Sequence, residues 1–304
     1  MARFMEIALY EPGCGYYRVD SERLGVRGDF FTAGQLQPVF GELLAEYASQ
    51  QNGCKSILDL GAGRGELREA FRGWNYLGHD WDGDALPERF SGLMIANEFF
   101  DALPVHMLRR RASEWSEVHV RICDDSLRFV EHEAETDSEL AEYAERYGGP
   151  IPVGGVLEVN LASRWWMRNL GRMQDVGRVL VIDYGYVTRE LARFPQGTLI
   201  SYRRHVATAD LLATPGLRDL TSHVNFSDLE ETARASGYRV VRNELMARWM
   251  LRIWDETAMK KKWSEGNDRW KLAWKQLMYG MGEVFRVMEL EKLQKTKAPE
   301  KLGG

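Results

Sequence analysis

Residues 56–71, SILDLGAGRGELREAF, decide the fold of this chain. The stretch begins with an apolar run that predicts a buried strand, made of Ile57, Leu58 and Leu60. Three glycines follow at a spacing of two, namely Gly61, Gly63 and Gly65. A helical pattern then begins at Glu66. Strand, glycine turn and helix are typical of a nucleotide-binding βαβ unit, in which the backbone lies close to a bulky ligand and a Cβ would collide with it.

The spacing of the glycines narrows the kind of ligand. The motif Asp59-x-Gly61-x-Gly63-x-Gly65 fits neither the dinucleotide fingerprint nor the phosphate-binding P-loop. It resembles the first motif of class I methyltransferases, which bind S-adenosylmethionine (SAM). That resemblance implies that the loop lies along the methionine part of SAM and that Asp59 helps to order the site. The alternative is a glycine-rich turn between strand and helix that binds no ligand.

Length, charge and cysteine content limit the class of protein. A chain of 304 residues forms one large domain or two. A net charge of −5 favours neither nucleic acid nor anionic lipid as a partner. Three widely separated cysteines predict neither a disulfide framework nor a metal site, and they suit a reducing compartment. No apolar run reaches the roughly 18 residues of a membrane span, so we expect a cytoplasmic protein without a membrane span.

Long motifs along the whole chain resemble one family in the same order. They are FMEIALYEPGCGYY (4–17), GDFFTAG (28–34), DLGAGRGEL (59–67), ANEFFDALPVHM (96–107), VLVIDYG (179–185), GTLISYRRH (197–205), PGLRDLTSHVNFSDL (215–229) and MGEVFRVMEL (281–290). The family is that of the MidA-type SAM-dependent methyltransferases, whose mitochondrial members are complex I assembly factors.

The resemblance implies an α/β fold of the class I methyltransferase (Rossmann-like) type, with a doubly wound and mostly parallel sheet. Residues 1–55 would form an N-terminal helical and loop extension that lines the site. Residues 56–304 would form the methyltransferase domain, with inserted α/β elements at about 109–150.

The acid that binds the ribose hydroxyls is expected about 20 residues beyond the glycines, at the end of the second strand. Residues 76–80, YLGHD, fit such a strand and make Asp80 the candidate, with Asp82 as the alternative. The family usually has a longer segment over residues 72–95. Trp81 could therefore belong to a later strand, in which case the ribose-binding strand is missing. The full set of predicted cofactor-binding residues is Thr32, Asp59, Gly61, Gly63, Gly65, Asp80 and Asn97.

Two carboxylates follow the next predicted strand, Leu93–Ala96. Glu98 and Asp101 lie three residues apart, where ligands bind beyond the carboxyl ends of parallel strands. Their alternative role is to cap a helix N-terminus. Asp183 follows the predicted strand Arg178–Ile182 and puts a third carboxylate at the same edge of the sheet.

The family resemblance implies transfer of a methyl group to an arginine of a protein substrate. Glu98 and Asp101 would then accept the planar N–H fork of the guanidinium group, with Asp183 as support. The predicted substrate-contacting residues are Tyr16, Tyr17, Asp29 and Phe30, although the two tyrosines could simply pack a surface loop. Two other functions stay open, namely a small-molecule methyltransferase and a non-catalytic assembly protein that has lost its SAM site.

Overall fold

The computed structural model describes residues 1–18, 36–81, 85–133, 138–203 and 206–293. The helices are α1 (Ala2–Tyr10), α2 (Val39–Ser49), α3 (Glu139–Tyr147), α4 (Leu161–Met173), α5 (Phe226–Ala235), α6 (Met246–Ile253), α7 (Glu256–Glu265) and α8 (Asp268–Lys275). The strands are β1 (Ser56–Leu60), β2 (Asn75–His79), β3 (Phe90–Asn97), β4 (His106–Arg110), β5 (Trp115–Cys123), β6 (Ser126–Glu133), β7 (Val156–Val159), β8 (Gln174–Tyr186), β9 (Ile200–Arg203), β10 (Val206–Thr208), β11 (Asp219–Thr221), β12 (Val224–Asn225), β13 (Tyr238–Leu245) and β14 (Phe285–Lys292).

The main sheet runs in the order β13-β14-β8-β3-β1-β2, and β12 pairs with β8. Strand β1 is parallel to β2 and β3, and β3 is parallel to β8. Strand β14 runs antiparallel to both β8 and β13, and the other paired strands in the described part of this sheet are parallel. Alternate residues of β1 enter different cores, since Ile57 packs with α2, α6 and α8 whereas Leu58 packs with α4 and α5. Helices thus cover both faces, which confirms the doubly wound, mostly parallel architecture.

Two smaller antiparallel sheets lie outside the main sheet. One has the order β6-β5-β4-β7 and the other the order β10-β9-β11. A separate apolar cluster joins helix α1 to both of them, through contacts that involve Leu9, Met107 and Leu220. The N-terminal helix is therefore anchored against both small sheets. No helix in the described ranges is long and apolar enough to cross a membrane.

The helix predicted from Glu66 does not form. The N–H groups of Arg68 and Phe71 instead donate to carbonyls three residues earlier, so the chain makes successive tight turns. Leu67 and Phe71 are nevertheless buried, as the apolar pattern requires. The connection from Leu60 to Asn75 is short for a crossover, and after the glycine loop at most residues 66–74 are left for a helix.

The second strand of the nucleotide-binding unit is present. Strand β2 pairs with β1 in parallel, with His79 opposite Leu60. The hypothesis that this strand is missing is therefore wrong. The shorter segment over residues 72–95 affects the next strand instead. The order 3-2-1-4-5-6 would place a third strand beyond β2 at this edge, and the described residues contain none there.

Candidate functional site

The three glycines between β1 and β2 adopt the left-handed backbone conformation that favours glycine. Their φ angles are 69° for Gly61, 54° for Gly63 and 79° for Gly65. The N–H groups of Gly61 and Ala62 both donate to the carbonyl of His79, at 2.9 and 3.1 Å. A Cβ added at Gly61 would lie 3.1 Å from the ring of Phe99, so the loop also sits against the segment that follows β3. The backbone of residues 61–65 thus forms an open groove, the glycine cradle, which larger side chains at these positions would fill.

Asp80 directly follows β2 and holds the glycine loop. Its Oδ2 accepts a hydrogen bond from the N–H of Gly63 at 2.7 Å, and its Oδ1 accepts one from the N–H of Trp81 at 2.7 Å. A carboxylate offers about four acceptor positions, so these bonds are compatible with two further bonds to ribose hydroxyls. The cradle and Asp80 therefore fit a nucleoside cofactor. The alternative acid, Asp82, lies outside the described residues.

Asp59 lies beneath this loop rather than on its surface. It is 3% exposed, and its Oδ2 accepts a hydrogen bond from the hydroxyl of Tyr76 at 2.6 Å. Burial raises the pKa of Asp59 to about 7, although the bond from Tyr76 opposes the shift. The side chain therefore links β1 to β2 and supports the loop from inside the protein.

Because folding raises the pKa of Asp59, the folded state binds a proton more tightly than the unfolded state. The stability that this proton contributes is complete below pH 4 and is lost as the pH rises through about 7. We expect Asp59→Asn to reduce the loss of unfolding free energy between pH 5 and pH 8 by about 1–3 kcal/mol. Urea denaturation of both proteins at the two pH values measures the difference, and an equal loss in both would contradict the raised pKa.

The segment after β3 carries the candidate catalytic carboxylates. Glu98 has a φ of 48°, which is strained for a residue other than glycine, and its N–H donates to the carbonyl of Ile182 at 2.9 Å. The amide of Asn97 donates to Glu98 Oε1 at 3.3 Å. Strain of this kind clusters at ligand sites, where the surrounding structure holds it in place.

Asp101 is 3% exposed, and burial raises its pKa above the ordinary value. Its Oδ1 is buried and makes no well-formed hydrogen bond within the described ranges, although the nearby hydroxyl of Tyr184 opposes the rise in the pKa of Asp101. Oδ1 of Asn97 is also buried without a partner in those ranges. Buried polar atoms without a protein partner are rare in folded proteins and mark places where a ligand or water can bind. Asn97 is the last residue of β3, and Asp101 lies four residues after it.

Asp183 organises this segment from within β8, which continues to Tyr186 instead of ending at Ile182. The Oδ2 of Asp183 accepts from the N–H groups of Phe100 and Asp101 at 3.0 and 3.2 Å. Burial raises the pKa of Asp183 well above its ordinary value, and the charges of Asp101 and Glu98 raise it further. Its observed contacts are with backbone, so a role as support for the two other carboxylates stays a prediction.

Of the predicted substrate residues, Tyr16 is buried with helix α1, and Tyr17 is half-buried beside it with ring centroids 5.1 Å apart. Three predicted site residues, Asp29, Phe30 and Thr32, lie outside the described ranges. Sequence reasoning missed three residues that the structure brings to Tyr17, directly or through one other ring: Tyr10, Trp81 and Asp219. Asp219 lies in the motif at 215–229, which was its available signal. Within the described residues, no group of three metal-ligating side chains is placed to hold an ion.

The fold and its glycine cradle are those of class I SAM-dependent methyltransferases. Residues 73–243, more than half of the chain, match a family model described as "Putative S-adenosyl-L-methionine-dependent methyltransferase". The chain belongs to this family, and SAM is its cofactor. A structure from Burkholderia thailandensis bound to S-adenosylhomocysteine is similar over 96% of this chain and 87% of that one, with 28% identity and a TM-score of 0.83.

Curated relatives confirm the resemblance to MidA-type methyltransferases. The protein named "Protein arginine methyltransferase NDUFAF7, mitochondrial" is 28% identical in Danio rerio, over 77% of this chain and 68% of that protein. The human protein of the same name is 26% identical, over 77% of this chain and 65% of that protein. The chain thus spans about two thirds of these relatives.

The expectation of a cytoplasmic protein is wrong on this comparison, because the relatives are named as mitochondrial. It rested on cysteine content and on the lack of a membrane-spanning run, neither of which distinguishes one reducing compartment from another.

Proposed function

We propose that this protein transfers a methyl group from SAM to a guanidinium nitrogen of an arginine in a protein substrate. The observation that carries the proposal is the pair of carboxylates after β3. Glu98 has a strained φ, and Asp101 is buried with an oxygen that makes no well-formed hydrogen bond to the described residues. The name of the curated relatives supports the same acceptor. Guanidinium is planar, cationic and rich in N–H donors, so carboxylates are its natural partners.

Bound SAM supplies a methyl group that is electrophilic because it is attached to a sulfonium sulfur. The remaining work belongs to the chain. Asp80 would hold the ribose and the glycine cradle would lie along the methionine part, while Glu98 and Asp101 accept the guanidinium N–H groups. Holding one nitrogen about 3 Å from the methyl carbon, in line with the bond that breaks, removes much of the entropic cost of the reaction. As the C–N bond forms and the S–C bond breaks, the nitrogen loses a proton, which a carboxylate can accept.

The acceptor is tested with purified protein, SAM that carries a deuterated methyl group, and a mitochondrial extract. We expect deuterated methylarginine in digested protein, and only a small fraction of that product with Glu98→Gln. Label confined to small molecules would contradict the protein acceptor. Failure to bind SAM would favour the non-catalytic alternative, which has lost its SAM site.

The ionisation of Asp101 predicts the pH dependence of transfer. Burial raises the pKa of Asp101 to about 6, and only the ionised carboxylate attracts a guanidinium cation. We therefore expect kcat/KM to fall by up to tenfold per pH unit below about pH 6 and to level off above it. Asp101→Asn should lower kcat/KM and remove this dependence. A wild-type profile that is flat between pH 5 and pH 7 would exclude the role.

A further inference from the structure

Asp219 is a buried carboxylate at the start of β11 that the mechanism above does not use. It is 4% exposed. The hydroxyl of Tyr17 donates to Asp219 Oδ1 at 2.8 Å, and the N–H of Leu220 donates to the same oxygen at 2.9 Å. These bonds fix both the carboxylate and the Tyr17 ring. They join the N-terminal segment to a strand that lies about two hundred residues later in the chain.

An aromatic wall connects Asp219 to the carboxylates after β3. The rings of Tyr17 and Tyr10 stack with centroids 5.5 Å apart, and Trp81 covers Tyr10 with centroids 4.3 Å apart. The hydroxyl of Tyr10 donates to the carbonyl of Ala102, the residue after Asp101, at 2.7 Å. Trp81 directly follows Asp80 and is 53% exposed. The wall therefore extends from Asp219 to the end of β2, where the cofactor acid lies.

The charges of Asp219 and Asp101 influence the same three tyrosines. Each raises the pKa of Tyr10, Tyr17 and Tyr202, after the larger effect of burial. The backbone also couples the two segments, because the N–H of Ser222 donates to the carbonyl of Asp101 at 3.0 Å. The buried Oδ1 of Asp101, which makes no well-formed hydrogen bond to the described residues, belongs to this segment. Two carboxylates from distant elements thus share one aromatic surface.

We infer that Asp219 is a specificity-determining residue of the acceptor site, where it and Tyr17 select a planar cation. The inference rests on the proposed function. Asp219 adds a second negative charge to the tyrosine surface that Asp101 also influences. Through its bond with Tyr17, it holds the ring against which the flat guanidinium can stack. Carboxylates with aromatic faces attract a guanidinium group more strongly than a neutral group of the same shape.

The test uses pooled peptides with one central arginine and random flanks that lack lysine and arginine. A matched pool carries citrulline, which has nearly the same shape but no charge. With S-adenosylhomocysteine bound, we expect the wild type to bind the arginine pool at least tenfold more tightly, and Asp219→Asn to reduce that preference to threefold or less. In methyl transfer to the arginine pool, Asp219→Asn should lower kcat/KM by 10- to 100-fold, mainly by raising KM.

Asp210→Asn is the matched control, because it removes an exposed carboxylate from the same part of the chain and should change KM less than twofold. Tyr17→Phe removes only the hydroxyl that holds Asp219 and should raise KM three- to tenfold. If Asp219→Asn no longer binds S-adenosylhomocysteine, the KM of Tyr17→Phe tests the inference instead. Asp219→Glu keeps the negative charge and should restore part of the arginine preference.

The possible failures are distinguishable. If the wild type methylates arginine and both Asp219→Asn and Tyr17→Phe keep the wild-type KM and arginine preference, the inference is overturned and the proposed function stands. If the wild type binds S-adenosylhomocysteine but methylates no arginine, the proposed function fails, and the inference fails with it.

Discussion

Gly63→Val is expected to lower the affinity for S-adenosylhomocysteine at least 100-fold while the protein stays folded. Gly63 has a φ of 54°, where a side chain costs about 1–2 kcal/mol, and valine is branched at Cβ. Relief of this strain would rotate the N–H of Gly63 away from Asp80 and close the cradle. Calorimetric titration measures the affinity, and thermal unfolding shows whether the protein remains folded.

Gly53→Val is the matched control for this experiment. Gly53 has a φ of 73° and lies between α2 and β1, where an added Cβ would meet no atom within 4 Å. It therefore imposes the same kind of backbone strain without touching the cradle. We expect the two variants to lose similar stability and only Gly63→Val to lose affinity. An equal loss of affinity in both would mean that strain alone, rather than the cradle, explains the effect.

Glu98→Gln is expected to lower kcat about 100-fold or more while changing the affinity for SAM less than threefold. The substitution keeps the size of the side chain but removes the charge that orients the guanidinium group and can accept its proton. The strained backbone at φ 48° stays, because the N–H of residue 98 still bonds to Ile182. Single-turnover measurement with saturating SAM separates the chemical step from binding.

Glu69→Gln controls for the loss of a carboxylate, since Glu69 is exposed and pairs with the neighbouring Arg72 on the surface. Its kcat should match that of the wild type. Transfer by Glu98→Gln at the wild-type rate would show that Glu98 does not act in the reaction.

The cofactor side of the site was largely predictable from sequence, because its parts are close together in the chain. Asp59, the glycines and Asp80 fall within two adjacent strands and their connection, so strand pattern and spacing reduced the candidates to a few residues, with Asp80 and Asp82 both left open. The helix expected after Glu66 was wrong, because apolar spacing does not distinguish a regular helix from successive tight turns that bury the same residues. Asp183 was expected at a strand end, whereas pairing with β12 and β14 extends β8 beyond it.

The acceptor side was far less predictable. Tyr17 and Asp219 meet across 202 positions, and Tyr10 reaches Ala102 across 92. No local pattern specifies such contacts, since they depend on how α1 packs against the two small sheets. For the same reason, apart from its place in the motif at 215–229, Asp219 did not differ in sequence from other acids.

The cofactor side joins residues that are close in sequence, and the acceptor side joins residues that are far apart. This difference has a consequence for partial unfolding. The nucleoside half closes within a short loop, whereas the half that receives the substrate is completed only when the first turns of the protein meet a strand from its last third. Detaching α1 would break the second half and leave the first intact. Mild denaturant should therefore produce a species that still retains its coenzyme but no longer discriminates between acceptors.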